Sequence, residues 1–274
     1  MKFHTGRRIK SLVILGAITA AFLMFFDGYR VTLRDPAMLS GWFFLAVMVF
    51  LALFNVRKKF PVPPLGSGRF WLQVHIYGGA FTVVPYLIHA GFEVPAGALE
   101  GLLALFYFAV LISGFVGLAM TRVLPRRLTA RGEEVIFERL PEHRIRIKTE
   151  VERLALDSIA ATQSNIIATF YTQRLRDFFG GPRHLFRHLF EIAPPLNRML
   201  AEIEDQYRYL NEDEQKILRA IADCVERKDR LDYQYALQLA LKLWLFVHIP
   251  LTNGLLVLVI IHVWLAHAFA GRVL

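Results

Sequence analysis

Five stretches of predominantly apolar residues stand out along the 274-residue chain, and polar segments separate them. The stretches cover residues 11–26, 38–56, 70–92, 97–120 and 239–270. A helix rises 1.5 Å per residue and needs roughly 17 to 25 residues to cross the hydrocarbon core of a bilayer. Each stretch is near or above that length. The pattern predicts an all-α membrane protein with five transmembrane helices, here called spans one to five.

About 118 residues separate span four from span five, too many for a connecting loop. The sequence therefore predicts three regions: residues 1–120 with four spans, a mostly helical insertion domain at 121–238, and span five at 239–274. Apolar positions at helical spacing over residues 150–178 predict a helix that ends at Gly180-Gly181-Pro182. Asn211 is predicted to cap another helix through about Arg227. Residues 135–137 and 144–147 are candidates for short strands.

The formal charge of +9 lies mainly beside the spans, because the insertion holds 20 basic and 19 acidic residues. This distribution indicates membrane topology and excludes a nucleic-acid interface. Basic residues mark the cytoplasmic side of a membrane protein, and most of those that flank the spans fall on one side. They are Lys2, Arg7, Arg8, Lys10, Arg57, Lys58, Lys59, Arg69, Arg122, Arg126, Arg127 and Arg131. The opposite side has only Arg30, Arg34 and Arg272. The N-terminus and the insertion are therefore predicted inside a bacterial-type plasma membrane, and the C-terminus outside. No cleavage site follows Phe26, so span one is predicted to be a retained anchor.

Cysteine usage excludes several redox centres, because Cys224 is the only cysteine. A disulfide, a C-x-x-C-H haem attachment or a cysteine-ligated iron–sulfur cluster cannot form within the chain. No nucleotide-binding motif occurs in the insertion either. His184 and His188 have a spacing that suits a metal, but without a third ligand we expect them to be solvated surface residues.

Four of the nine histidines form two equally spaced pairs within the spans. His75 and His89 in span three are 14 residues apart, and so are His248 and His262 in span five. Fourteen residues at about 100° each fall within about 40° of four full turns, so each pair shares a helix face and its members lie about 21 Å apart. Spans three and five run in the same direction. His75 is therefore expected to meet His248 toward the cytoplasm, and His89 to meet His262 toward the outside.

Two facing imidazoles can fill both axial positions of a haem iron, and the pattern predicts two bis-histidine haem b groups in a four-helix bundle. Small residues near these histidines fit a bulky cofactor: Gly78, Gly79, Gly91 and Gly254. Ser113, Gly114 and Gly117 are expected to serve helix packing. His267 lies roughly 100° to 140° from the ligand face, so it is excluded as a ligand and expected near the outer surface, with a quinol or partner contact as the alternative.

The segments HIYGGAFTVVPYLIH (75–89) and HIPLTNGLLVLVIIH (248–262) resemble the di-haem cytochrome b superfamily. Members include the cytochromes b of quinol-oxidising bc complexes and the membrane domains of ferric reductases and NADPH oxidases. The resemblance covers the spans and implies transmembrane electron transfer through non-covalent haems. Only four residues follow span five, so no flavin and nicotinamide domain is expected there, and no bc-type quinol site is recognisable.

The function that follows is a cytochrome subunit of a larger hetero-oligomeric oxidoreductase, exchanging electrons between membrane quinone and a c-type cytochrome or iron–sulfur partner outside. Quinone is a candidate second cofactor. Cations near the spans are candidates to pair with haem propionates: Arg69, Arg122, Arg126 and Lys242. The insertion is expected to dock a partner or stabilise spans four and five. Alternatives are a ferric or oxygen reductase membrane domain and, in a different class, a transporter or proton-relay protein that uses the same histidines.

Overall fold

The computed structural model describes residues 2–30, 36–57, 67–130, 135–192 and 196–270. The main helices are α1 (Lys2–Arg30), α2 (Pro36–Arg57), α3 (Gly68–Phe81), α4 (Val83–His89), α5 (Ala98–Thr129), α6 (Leu140–Thr162), α7 (Ile166–Phe170), α8 (Arg176–Phe179), α9 (Leu185–Phe190), α10 (Leu196–Gln206) and α11 (Glu212–Ala270). Two 3₁₀ turns (Phe137–Arg139, Tyr207–Tyr209) and one π-helical turn (Tyr171–Leu175) complete the helical elements. No strand occurs in these ranges, as the all-α prediction requires. Of the charges used for topology, Arg34, Lys58, Lys59, Arg131 and Arg272 lie outside them.

Among the described residues, four helices contain segments long and apolar enough to cross a membrane: Ile9–Tyr29, Ala37–Phe54, Ala98–Thr129 and Glu212–Phe269. The stretch predicted as span three is divided into α3 and α4, and each piece alone is too short. Pro85 explains the division, since it has no N–H to bond the carbonyl one turn earlier. The backbone stays helical around Thr82, whose N–H bonds Gly78 and whose carbonyl accepts from Tyr86. The interruption is therefore local.

The chain forms two compact units, residues 1–118 with 246–274, and residues 119–245. The first unit is a helical bundle whose core includes Met48 of α2, Tyr107 of α5 and Leu255 of α11. Helix α1 packs through Phe22, whose ring lies 4.5 Å from that of Phe43 and 5.7 Å from that of Phe81. Many other large apolar side chains of the bundle are exposed. This distribution is the one expected of helices surrounded by lipid.

The second unit has its own hydrophobic core, in which α6 contributes Leu140, Ile147, Val151 and Ala155. The two strand predictions are wrong. Residues 137–139 form a 3₁₀ turn, and residues 144–147 lie inside α6. The alternating Arg-Ile-Arg-Ile pattern suggested a strand, but only Ile147 of its two isoleucines is buried. Burial follows the helical spacing of the surrounding apolar residues, and the core selects helix.

The helix predicted over residues 150–178 begins earlier and is interrupted. Helix α6 ends at Thr162, and the next residue, Gln163, adopts a left-handed conformation with φ +55°. The Gln163-Ser164-Asn165 segment separates it from α7, since these side chains favour turns over helix interiors. The chain then continues through the π-helical turn to α8, which ends at Gly180 as predicted.

Asn211 caps α11, as the sequence predicts. Its Oδ1 accepts from the N–H of Glu214, and its own N–H donates to Glu214 Oε2, both at 2.9 Å. This reciprocal pair is a capping box. The helix does not end near Arg227, however, but extends to Ala270. One helix thus carries both the last part of the second unit and the residues predicted as span five.

Candidate functional site

The structure brings together the histidines that the sequence pairs. The rings of His75 and His248 have centroids 6.5 Å apart and planes inclined by 79°. Those of His89 and His262 are 6.1 Å apart and inclined by 88°. Each pair joins the α3–α4 segment to α11 within the first unit. The two pairs therefore have nearly the same geometry at two levels of one bundle.

Helix α2 holds two of these rings through backbone carbonyls. His75 Nδ1 donates to the carbonyl of Leu51 at 3.2 Å, and His89 Nδ1 donates to that of Ala37 at 2.9 Å. Leu51 and Ala37 are themselves 14 residues apart, which matches the spacing of His75 and His89. Their reversed order along the chain shows that α2 runs antiparallel to the segment it contacts. A carbonyl oxygen only accepts, so both histidines carry the Nδ1 proton in this arrangement. Nε2 is then the nitrogen with which each would bind a metal.

Helix α5 holds a third ring through Ser113. The hydroxyl of Ser113 donates to the carbonyl of Val110 at 3.0 Å and lies 2.6 Å from Nδ1 of His248. Since a hydroxyl has only one proton, it accepts from His248 in this arrangement, which again directs Nε2 to any metal. Ser113 was expected to serve helix packing, and the structure adds that its hydroxyl contacts a candidate ligand.

Glycines allow close approach to the histidines. A Cβ added to Gly41 of α2 would lie 2.8 Å from Cε1 of His89, too close for any real contact. A Cβ on Gly114 would lie 3.8 Å from Cε1 of His248. Gly41 was missed by sequence reasoning, although it is a glycine inside an apolar span facing the predicted ligand helix. Its position one turn after Ala37 places both on the side of α2 that holds His89.

The other predicted glycines have different surroundings. Gly78 allows Leu51 to pack closely, since a Cβ there would lie 2.9 Å from its side chain. Gly254 likewise accommodates the ring of Phe106 at 2.9 Å. Gly79 has open space where a Cβ would be, on the same helix face as His75. Gly91 adopts φ +62° in the turn after α4, a conformation that glycine tolerates without strain.

A packed layer separates the two histidine pairs. Thr82 lies seven residues from both His75 and His89, and its hydroxyl is 3.1 Å from that of Tyr107. The Tyr107 ring stacks on Tyr86 at 4.4 Å, and Leu255 completes the layer from α11. All but Tyr86 are buried to 5% exposure or less. The pairs are therefore two separate sites.

The four cations that were candidates to pair with haem propionates lie in different parts of the structure. Arg69 is exposed six residues before His75, while Arg122 and Arg126 are exposed on the part of α5 that belongs to the second unit. Lys242 also belongs to that unit, where its Nζ lies 2.6 Å from Glu138 and 3.9 Å above the Phe137 ring. That contact lowers the pKa of the Glu138 carboxyl. Lys242 is thus already paired with a carboxylate.

Three other described histidines, His267, His188 and His184, lie outside both pairs. His267 is exposed, with its ring 5.7 Å from that of Trp42. His188 is not the solvated surface residue that was predicted: it is buried, and its Nε2 lies 3.5 Å from Asp229. His184 precedes α9 and is half-buried, and desolvation is the largest cause lowering its pKa. Among the described residues no three histidine, cysteine or acidic side chains converge to hold a metal ion.

No protein-family model, curated protein or solved structure matches the chain.

Proposed function

We propose that the protein is a membrane cytochrome that relays electrons across a bilayer through two haem b groups. His75 and His248 would bind one haem, and His89 and His262 the other. The observation that supports this most is the repetition of one cross-helix histidine geometry at two levels, with ring centroids 6.5 Å and 6.1 Å apart. When bound, each haem would supply an iron that takes up and releases one electron.

The ring separations are suited to two histidines that would hold one haem between them. Metal–nitrogen distances of about 2 Å, with about 1 Å from each nitrogen to its ring centre, would bring two such rings to roughly 6 Å between centroids. A haem would need only two histidines from the protein. A site of three or more protein ligands is therefore not required. The Nδ1 contacts to Leu51, Ala37 and Ser113 fix ring orientation and would increase the basicity of the nitrogen that binds the metal.

The proposal includes five spans, of which the third is α3 together with α4. These helices and Thr82 give 22 residues from Gly68 to His89, about the length that a bilayer core requires. With the basic residues inside, His75 and His248 lie toward the cytoplasm and His89 and His262 toward the outside. In this proposal one haem would lie near each membrane surface, with the two about 21 Å apart along the helices.

The partners follow from this placement. We propose exchange with membrane quinone and with an external redox protein, in a complex whose other subunits carry the terminal chemistry. Ferric or oxygen reduction at the outer haem is the alternative within the redox class. Addition of quinol analogues or external ferric chelates to the reduced protein in liposomes separates these two, according to which one reoxidises it.

The deciding experiment is a reduced-minus-oxidised absorption spectrum of the purified full-length chain, with haem quantified as the pyridine haemochrome. We expect two haem b per chain and low-spin ferric haem by electron paramagnetic resonance. A histidine-based transporter or proton relay predicts a colourless protein instead. Less than one haem b per chain would refute the proposal.

Gly41 provides a test of the site beyond the four ligands. In Gly41→Val the added Cβ would lie only 2.8 Å from Cε1 of His89, so the ring must move or the helices must separate. We expect selective loss of the haem bound by His89 and His262, measured as a decrease from two haems to one. Gly16→Val is the matched control, because nothing lies within 4 Å of a Cβ at Gly16 in α1. Equal haem content in both variants would contradict the assignment.

A further inference from the structure

Helix α9 (Leu185–Phe190) presents large apolar side chains to the exterior of the second unit. Phe186 is 78% exposed, Phe190 is 67% exposed and Ile192, just after the helix, is 58% exposed. The two phenylalanines are four residues apart and lie on one helix face. His188 occupies the opposite face and is buried. The exposed face is therefore a fixed feature of a helix whose other side is packed.

Arg127 of α5 holds this helix in place. Its guanidinium donates to the carbonyls of Leu189 and His188, both at 2.7 Å, and lies 3.0 Å from the carboxylate of Glu191. Leu189 also packs against a cluster formed by Leu124, Leu128, Tyr233 and Leu237. Carbonyls at a helix C-terminus lack partners within the helix, and a cation there satisfies them. The segment is thus bound to α5 and α11.

The anchoring residues lie close to the predicted membrane boundary. Arg127 follows Met120, the end of span four, by seven residues, about 10 Å along α5. Leu237 precedes the start of span five by two residues. Both anchors belong to the same unit as α9. Both anchors are therefore only a few residues in sequence from the residues predicted to enter the bilayer.

The charge of the segment itself selects the kind of surface that α9 would meet. Arg183 and Arg187 are exposed, and the acidic Glu191 of the same segment is paired with Arg127. Aromatic side chains flanked by arginines are typical of helices that lie in the interfacial region of anionic bilayers. We propose that residues 183–192 form an interfacial docking segment that inserts Phe186, Phe190 and Ile192 between anionic lipid headgroups of the membrane that the spans cross. This proposal is independent of haem binding.

Spin labelling of the full-length protein in nanodiscs tests the segment. Labels are placed at Phe186→Cys and Phe190→Cys in a Cys224→Ala background, with Tyr209→Cys as the control. Tyr209 is 72% exposed in the same unit but lies outside the segment. Collision with oxygen, which concentrates in lipid, is compared with collision with a water-soluble nickel chelate.

In phosphatidylglycerol nanodiscs we expect the oxygen-to-nickel ratio at residues 186 and 190 to exceed that at residue 209 several-fold. The ratio is expected to fall in pure phosphatidylcholine and in the Arg183→Gln, Arg187→Gln double variant. Labels as water-accessible as the control would overturn the proposal. Shielding from both reagents would also overturn it, since a protein partner or second copy would then cover the face. An unchanged ratio in phosphatidylcholine or in the arginine variant would refute the role of anionic lipid.

Discussion

Alanine at His75 or at His248 is expected to remove the same haem, lowering the haem content from two to one per chain. Each pair spans α3–α4 and α11, so the loss of either imidazole would leave the proposed haem with only one histidine to hold it. Alanine at His89 or His262 is expected to remove the other haem. The physical reason is that bis-histidine ligation requires both helices to contribute at the same level of the bundle.

Double variants test the pairing directly. The His75→Ala, His248→Ala protein should retain one haem, whereas His75→Ala, His89→Ala should retain none. Pyridine haemochrome quantification against protein concentration gives the count. His267→Ala is the control, because it removes an exposed histidine of the same helix and should leave two haems. If His75→Ala, His248→Ala lost both haems while His75→Ala, His89→Ala kept one, the assigned pairs would be wrong.

Replacement of Lys228 by methionine is expected to destabilise the second unit by about 3–5 kcal/mol, because it leaves the Asp232 carboxylate buried without its main partner. The Lys228 and Asp232 side chains are 1% and 0% exposed and form an ion pair. Burial lowers the pKa of Lys228 and raises that of Asp232, so each charge depends on the other. Lys228 also donates to the carbonyl of Gly181 at 2.8 Å.

Cys224 provides the measurement for this variant. It is the only cysteine in the sequence and is buried in the core of the second unit, and desolvation raises its pKa. Thiol labelling during heating therefore reports unfolding of that unit. Lys216→Met is the matched control on the same helix, since its pairing with Asp213 is 2.8 Å long but exposed, and exposed pairs contribute about 0–1 kcal/mol. Equal labelling temperatures for the two variants would contradict the expected role of the buried pair.

The sequence predicted correctly those features that depend only on residues close together in the chain. The Asn211 cap depends on residues within one turn, and the apolar stretches depend on side-chain composition alone. The interruption of the third stretch was also visible as Pro85, a residue whose effect on helices is intrinsic, but it was not used in the prediction. The predicted helix after Asn211 was too short. The sequence has no glycine or proline between Asn211 and the apolar stretch, so nothing local ends the helix there.

Residues 144–147 show where local pattern is insufficient. Their alternation fits a strand when read alone, yet Ile145 is exposed and Ile147 is buried on one face of α6. His188 shows the same limit, since its spacing from His184 said nothing of the core that covers it. In both cases burial depends on contacts between residues distant in sequence, and these contacts override weak local preferences.

The sequence by itself determined the helical class, the apolar stretches and the 14-residue histidine spacing, because these depend on side-chain type and helix period. The tertiary structure decided what surrounds each histidine. The carbonyls of Leu51 and Ala37 hold two rings, yet every residue has a carbonyl and none is distinctive in a sequence. Ser113 and Gly41 lie on helices that neighbour these histidines only after packing. Which backbone group meets which ring is set by helix packing, a property of the assembled bundle.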